Sequence, residues 1–349
     1  MFFASDNAGT VHPAILDGLA RANTGYVASY GADDLTAAAQ ARVREVFEAP
    51  EAMVHFVATG TAANSLALAT LTQPWETAFC SPVAHIHEDE CNAPEFYMGA
   101  AKLTLVPGSD KIAPEALRTA IAAEESRGVH GPQRGPVSIT NLTEKGRAYS
   151  LDETRALCDV ARDFGLKVHL DGSRFANAMI ALGCTPAEMT WKAGVDAVSF
   201  GGTKNGCMGV EAVVIFDPAK SWEFELRRKR GAHLFSKHRY LSAQMMAYLE
   251  DDLWLDLARR SNAAMARLAT GLRDIPGARF LHEPEANMLF AWLPRGLHRK
   301  LQAEGARYAF YDGDLDSGPD EEPLMARYVA DWALTDADID RYLDLARQG

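Results

Sequence analysis

The chain has 349 residues, 48% of them apolar and 23% charged, as in an ordinary folded protein whose core needs no disulfides. Lys and Arg total 35 against 47 Asp and Glu, a net charge of −12, which argues against a non-specific nucleic-acid binder because that needs a basic face. At roughly 150 residues per domain the length suggests two domains, and no apolar run approaches the ~18 residues of a membrane span.

Beyond a polar turn at 31–34, residues 35–49 read as a helix, 53–58 as a short strand and 61–71 as an Ala/Leu-rich helix. Three short apolar segments follow, at 136–141, 166–170 and 195–200, each bounded by Gly or Asp and preceded by a helical pattern. Such alternation predicts an α/β fold, a mostly parallel sheet with helices on both faces. Residues 235–273 read as one long helix or two in succession. Short segments at 278–283, 286–293 and 325–330, with helical stretches at 295–304 and 336–347, suit a smaller α+β unit. The expected division is a large domain, with its N-terminal arm, over 1–249 and a C-terminal domain over 250–349.

In such sheets ligands bind at the carboxyl ends of the strands. After 166–170 comes Asp171-Gly172-Ser173-Arg174, after 195–200 comes Gly201-Gly202-Thr203-Lys204-Asn205-Gly206, and after 53–58 comes Thr59-Gly60-Thr61-Ala62-Ala63-Asn64. If the three strands are neighbours, these groups converge. Lys204, set between glycines, reads either as a Schiff-base lysine whose amine is freed by burial or as an exposed loop lysine. Asp171 ends a buried strand and needs a partner. A pyridinium N–H would serve, but so would its own Gly turn. Arg174 has a planar fork suited to a carboxylate or phenolate. Thr59-Gly60-Thr61 reads as a helix start whose free amides cradle a phosphate, or as a plain N-cap.

His85, in Ser81-Pro-Val-Ala-His-Ile-His-Glu-Asp-Glu90, reads as a ring stacked on a cofactor and placed for proton transfer. The alternative is a divalent-metal hydrolase centred on His85 and His87, with His130, His169, Asp171 and Asp196 available as further ligands. The five Cys, at 80, 91, 158, 184 and 207, are odd in number and lack any C-x-x-C. They read as reduced cytoplasmic thiols rather than a zinc or disulfide framework, and residues 1–6 lack the features of a signal peptide.

Taken together, these residues carry a resemblance. Phe3-Ala-Ser-Asp-Asn7, Tyr30-Gly-Ala-Asp-Asp34, Thr59–Asn64, Ala84-His85, Asp171–Arg174 and Gly202–Gly206 stand in the order and spacing of the pyridoxal-phosphate-dependent threonine aldolases. The chain is similar to their low-specificity L-type group over nearly its whole length. The resemblance implies fold type I, the aspartate-aminotransferase-like fold, and an aldehyde-lyase that cleaves L-threonine, L-allo-threonine or related β-hydroxy-α-amino acids to glycine and an aldehyde. A β-eliminating lyase or an amino-acid racemase would use the same cofactor.

Carried over by position, the resemblance makes Lys204 the Schiff-base lysine and Asp171 the partner of the pyridine nitrogen. His85 becomes the ring-stacking histidine, with Glu90 beside it, and His130 a second active-site histidine. Gly60 and Thr61 match the phosphate turn, and Ser5, Arg174 and Arg327 the contacts to substrate carboxylate and cofactor. Lys229, with Arg239 or Lys237, and Tyr30 would come from a neighbouring subunit, which implies a homo-oligomer, at least a dimer and commonly a tetramer. No resident metal is expected. The family's E-N-T-H-type segment reads here Thr140-Asn141-Leu142-Thr143-Glu144, a departure at the edge of the cofactor ring.

Overall fold

The computed structural model describes residues 1–348. Among these, β1 (Met53–Val57), β2 (Glu76–Cys80), β3 (Lys102–Leu105), β4 (Gln133–Thr140), β5 (Val168–Gly172), β6 (Ala197–Gly201) and β7 (Glu211–Ile215) form one sheet in the order β1-β7-β6-β5-β4-β2-β3. β7 runs antiparallel to both its neighbours, while β6, β5, β4, β2 and β3 are parallel to one another. β1, β5, β6 and β7 are buried along their whole length. Helices cover both faces, so these strands read as short apolar runs without alternation.

Of the three strands first tied to chemistry, β5 and β6 are neighbours. β1 is parallel to β6 but separated from it by β7. The expected adjacency is corrected accordingly, while the carboxyl ends still share one edge. β7 carries an apolar run (Ala212–Phe216) but follows β6 after a short turn, so the strand–helix alternation that marks the parallel strands does not mark it.

The region 235–273 is two helices, Arg239–Leu249 and Leu253–Leu272. Asp251 (φ 50°) and Asp252 (φ 56°) break it, since Asp tolerates the left-handed region better than most residues. Beyond the second helix lie β8 (Arg279–Phe280), β9 (Met288–Pro294), β10 (Ala309–Phe310) and β11 (Pro323–Val329), an antiparallel sheet in the order β10-β11-β9-β8. Residues 1–6, grouped by sequence with the large domain, are fastened instead to this second sheet. The Phe3 amide donates to the Arg307 carbonyl (2.7 Å), and the Val329 amide donates to the Phe3 carbonyl (2.8 Å). The Phe3 ring packs edge-on against Tyr342, with centroids 5.1 Å apart. That anchorage delivers Asp6 to the seam between the two sheets.

Candidate active site

Because β7 returns antiparallel, residues 202–210 connect it to β6 as a short turn rather than a long crossover. Lys204 sits in that turn, in a single 3-10 unit, Thr203–Asn205. The Gly202 amide donates to the Val210 carbonyl (3.1 Å), and the Asn205 and Cys207 amides donate to the Gly202 carbonyl. Asn205 Nδ2 bonds Tyr248 Oη (2.7 Å) and the Trp254 carbonyl (2.8 Å). Two glycines are obligatory here: Gly206 has φ +100°, and a Cβ on Gly201 would lie 2.5 Å from the Ser173 carbonyl. The Lys204 amine is pushed below its ordinary value, first by burial and then by the Arg174 guanidinium, against the pull of Asp6, Asp171 and Glu211. A buried amine that loses its proton easily is a nucleophile for carbonyl carbon.

Asp171, buried at the end of β5, accepts from Asn64 Nδ2 (2.8 Å) and from the Ser173 amide (3.0 Å). Burial alone would push its carboxyl up. His85, Lys204 and His169 outweigh that, so it stays ionised below the ordinary value. His169, one pleat back, lies between Ser138 Oγ (3.0 Å) and Ser199 Oγ (3.1 Å) and is pushed down to about 4 by burial. It is neutral packing rather than a ligand.

His85 opens the helix His85–Glu88. Its Nδ1 lies 2.8 Å from Glu90 Oε1, and Asn64 Nδ2 donates to that oxygen (2.9 Å) and to Asp171. A carboxylate oxygen accepts, so Nδ1 carries the hydrogen and Nε2 keeps its lone pair. The ring's pKa is raised, chiefly by the bond to Glu90 and against burial. Glu144, found by sequence only as a departure from the E-N-T-H pattern, accepts the His85 amide (2.9 Å) and the Thr140 hydroxyl (2.9 Å). It ties the His85 turn to the end of β4, and burial pushes it up to about 7.

At the end of β1, Thr59 caps the helix Gly60–Leu71, its hydroxyl accepting the Ala62 amide (3.2 Å). The amides of Gly60 and Thr61 have no intrahelical acceptor. These pieces surround one cavity of about 240 Å³, walled by Thr59, Gly60, Thr61, His85, Asp171 and Lys204 among others. A larger recess of about 520 Å³ opens at the other end of the sheet, among Arg162, Lys167, Trp191 and Asp196. There Lys167 and Asp196 are spent on each other (2.9 Å), so volume alone points to the wrong end.

Arg174 does not face the cavity with a free fork. Its Nε and Nη2 hold Asp6 in a two-point pair (2.7 and 2.9 Å), and Asn287 Nδ2 donates to the same carboxylate (3.1 Å). Arg327 lies close to Arg174. Its Nε is buried without a partner, and its Nη2 reaches the Ala4 carbonyl at 3.4 Å. Ser5 Oγ accepts the Asn7 amide (3.1 Å). Asp6 and Asn287 were not found by sequence, because a carboxylate so far along the chain from its arginine gives no local signal. Replacing Asp6 with Asn will loosen the Arg174 fork. The KM for amino-acid substrate will rise about tenfold with a smaller change in kcat; steady-state kinetics check this, and an unchanged KM contradicts it.

The remaining expected site residues lie outside this cavity in their own chain. His130 lies in the 3-10 turn Gly128–His130 that leads into the amino end of β4. With β4 rising ~3.3 Å per residue, it is at the far side of the sheet from the cavity of its own chain. Tyr30, Lys229 and Arg239 do not line the cavity of their own chain. The Lys229 ammonium lies over the exposed Tyr30 ring (4.9 Å to the centroid), and Arg239 donates to the Thr24 and Gly25 carbonyls. Lys237 is exposed nearby, and His87 is exposed beyond the cavity. Among the described residues no three His, Cys, Asp or Glu side chains converge as metal ligands.

A family model described as beta-eliminating lyase matches residues 3–294. The chain is 39% identical over 346 residues to a low specificity L-threonine aldolase of Pseudomonas aeruginosa, covering 99% of this chain and 96% of that protein. The chain belongs to the threonine aldolase family of beta-eliminating lyases. A second relative with the same description, from a Pseudomonas species, is 38% identical over 336 residues, 96% of this chain and 94% of its own. Among solved structures, a Leishmania major threonine aldolase superposes with a TM-score of 0.92 at 27% identity, over 99% of this chain and 98% of that one. The family's fold is type I, and its cofactor is pyridoxal phosphate. The site fits that group on its own chemistry. It offers a lysine amine whose pKa is lowered by burial, an ionised aspartate at the end of β5, a flat imidazole, and two unclaimed amides at a helix start, where an anion is favoured.

Proposed function

We propose that the protein is a pyridoxal-phosphate-dependent aldolase that cleaves L-threonine, L-allo-threonine and related β-hydroxy-α-amino acids, such as phenylserine, to glycine and an aldehyde. The observation that carries this reading is the single cavity in which Lys204 and Asp171 meet a histidine braced by Glu90. The cofactor supplies an electron sink for the Cα–Cβ bond pair. Lys204 would hold it covalently, Asp171 would keep its ring nitrogen protonated, and the Gly60 and Thr61 amides would take its phosphate. The unpartnered Nε of Arg327, with the Nη1 of Arg174 that Asp6 leaves free, suits the substrate carboxylate, and Ser5 stands on the adjoining segment. His85 Nε2, oriented through Nδ1 and made more basic by Glu90, suits removal of the β-hydroxyl proton.

The reading extends to a cytoplasmic homo-oligomer. Tyr26, Val27 and Tyr30 are exposed, beside Lys229 and Arg239 and outside their own cavity. A second subunit brings such groups to the phosphate of its neighbour. Incubation with L-threonine, L-allo-threonine and L-phenylserine should yield glycine with acetaldehyde or benzaldehyde. Pyruvate-type keto acid with ammonia, or an inverted amino acid, in place of glycine would overturn the aldolase reading in favour of an eliminating lyase or a racemase.

A further inference from the structure

Glu211 is a buried acid for which the chemistry above has no use. It is the first residue of β7, in register between Val57 of β1 and Gly201 of β6, and only 5% exposed. Side chains alternate along a strand, so Glu211 projects to the same face as Val213 and Ile215, which pack with Ala62, Ala63 and Leu66 of the Gly60–Leu71 helix. It therefore points toward the start of that helix, and it lines the same cavity as Thr59, Gly60 and Thr61. Its Oε2 accepts the Gly202 amide (3.0 Å), tying it to the turn that carries Lys204.

The ionisable groups around Glu211 are the Lys204 amine on that turn, the Cys207 thiol beyond it, the Tyr248 hydroxyl on the Arg239–Leu249 helix and, lining the same cavity, His85, Glu90 and Asp171. Burial pushes the thiol and the phenol well up, so both are neutral, and the Lys204 amine is itself pushed down. Burial pushes the Glu211 carboxyl up to about 7, against the pull of Thr203, Gly202 and Lys204. An ionised carboxylate would here stand beside the point where the free amides attract an anion. Two like charges in a water-poor pocket do not both persist, and the weaker acid is the one that protonates.

We propose that Glu211 takes up a proton from solvent when the cofactor phosphate is seated, so that a neutral carboxyl flanks the anion cradle and cofactor binding is coupled to proton uptake. No covalent bond changes in this step. The inference rests on the pyridoxal-phosphate reading and adds to it a role for a residue that reading leaves idle.

The test uses the full chain freed of cofactor and titrated calorimetrically with pyridoxine 5'-phosphate. This probe carries the phosphate but no carbonyl for Lys204. Titrations near pH ~8 in two buffers of different protonation enthalpy count the protons taken up. Glu211→Gln keeps an acceptor for Gly202 and removes the titratable group. Wild type is expected to take up close to ~1 proton per site more than Glu211→Gln. Its affinity should also weaken by up to ~10-fold per pH unit above neutrality, a slope that the variant flattens. Equal uptake with parallel pH dependence would overturn the inference while leaving the cofactor reading intact. No binding of the analogue to either protein would overturn both. Should the variant not fold, the infrared difference spectrum of wild type decides. A protonated-carboxyl band growing in with ligand supports the inference, and its absence at saturation overturns it.

Discussion

Lys204→Ala will leave a folded, colourless protein. Wild type loaded with cofactor should absorb near ~420 nm, as a protonated Schiff base does. The variant should lose that band and more than about 10³-fold of its glycine-forming activity, because both the covalent anchor and the amine that gives way to substrate are gone. The fold should tolerate the change. Lys204 lies on a turn held by backbone bonds and by Asn205, and removing the amine removes its desolvation cost. Circular dichroism and the unfolding midpoint check the second half of this expectation. A variant that keeps both the band and full turnover would contradict the assignment of Lys204.

His85→Ala will cost roughly 10²–10⁴-fold in kcat, the usual worth of a placed general base. A finer experiment uses its partner. His85 acts as a base only when neutral, so activity is lost as pH falls through its pKa in the folded protein. That pKa is raised, chiefly by Glu90. The acidic limb of the wild-type profile should therefore lie above the ordinary imidazole value of ~6.5. Glu90→Gln keeps an acceptor for Nδ1 but removes the charge, so the limb should move to lower pH with a modest loss of kcat. A limb that stays in place would mean that another group sets it. Glu144, pushed up to about 7 by burial, is the other titrating carboxyl bonded to the His85 turn, and Glu144→Gln separates the two.

What the sequence disclosed, and what it withheld, follows from the range of each signal. Lys204, Asp171 and Gly60 each follow a short apolar strand directly, so local pattern and motif spacing were enough to find them. His130 lies away from its own chain's cavity, and sequence could not show this because loop character does not say which end of a strand the loop serves. Here it precedes β4, whereas the cavity lies beyond Thr140. β2 and β3 were passed over because β2 opens on a partly exposed glutamate and β3 is half-exposed at the sheet edge. The pairings Asp6–Arg174 and Asn64–Asp171 join residues far apart in the chain, and no local pattern marks such contacts. Glu144 did leave a trace, as a break in a motif. The structure reads it as the residue that fastens the His85 turn.

The fastening of Phe3 between Arg307 and Val329 has a bearing on how the protein is made. Chains grow at roughly 5–20 residues per second. Asp6 thus leaves the ribosome on the order of half a minute before the strand that holds its neighbours in place exists. During that interval the large sheet can assemble, with Arg174 already buried beside Lys204 and lacking its counter-ion. An early-made segment is thus captured by a late-made strand, and the counter-ion of Arg174 arrives only with that capture.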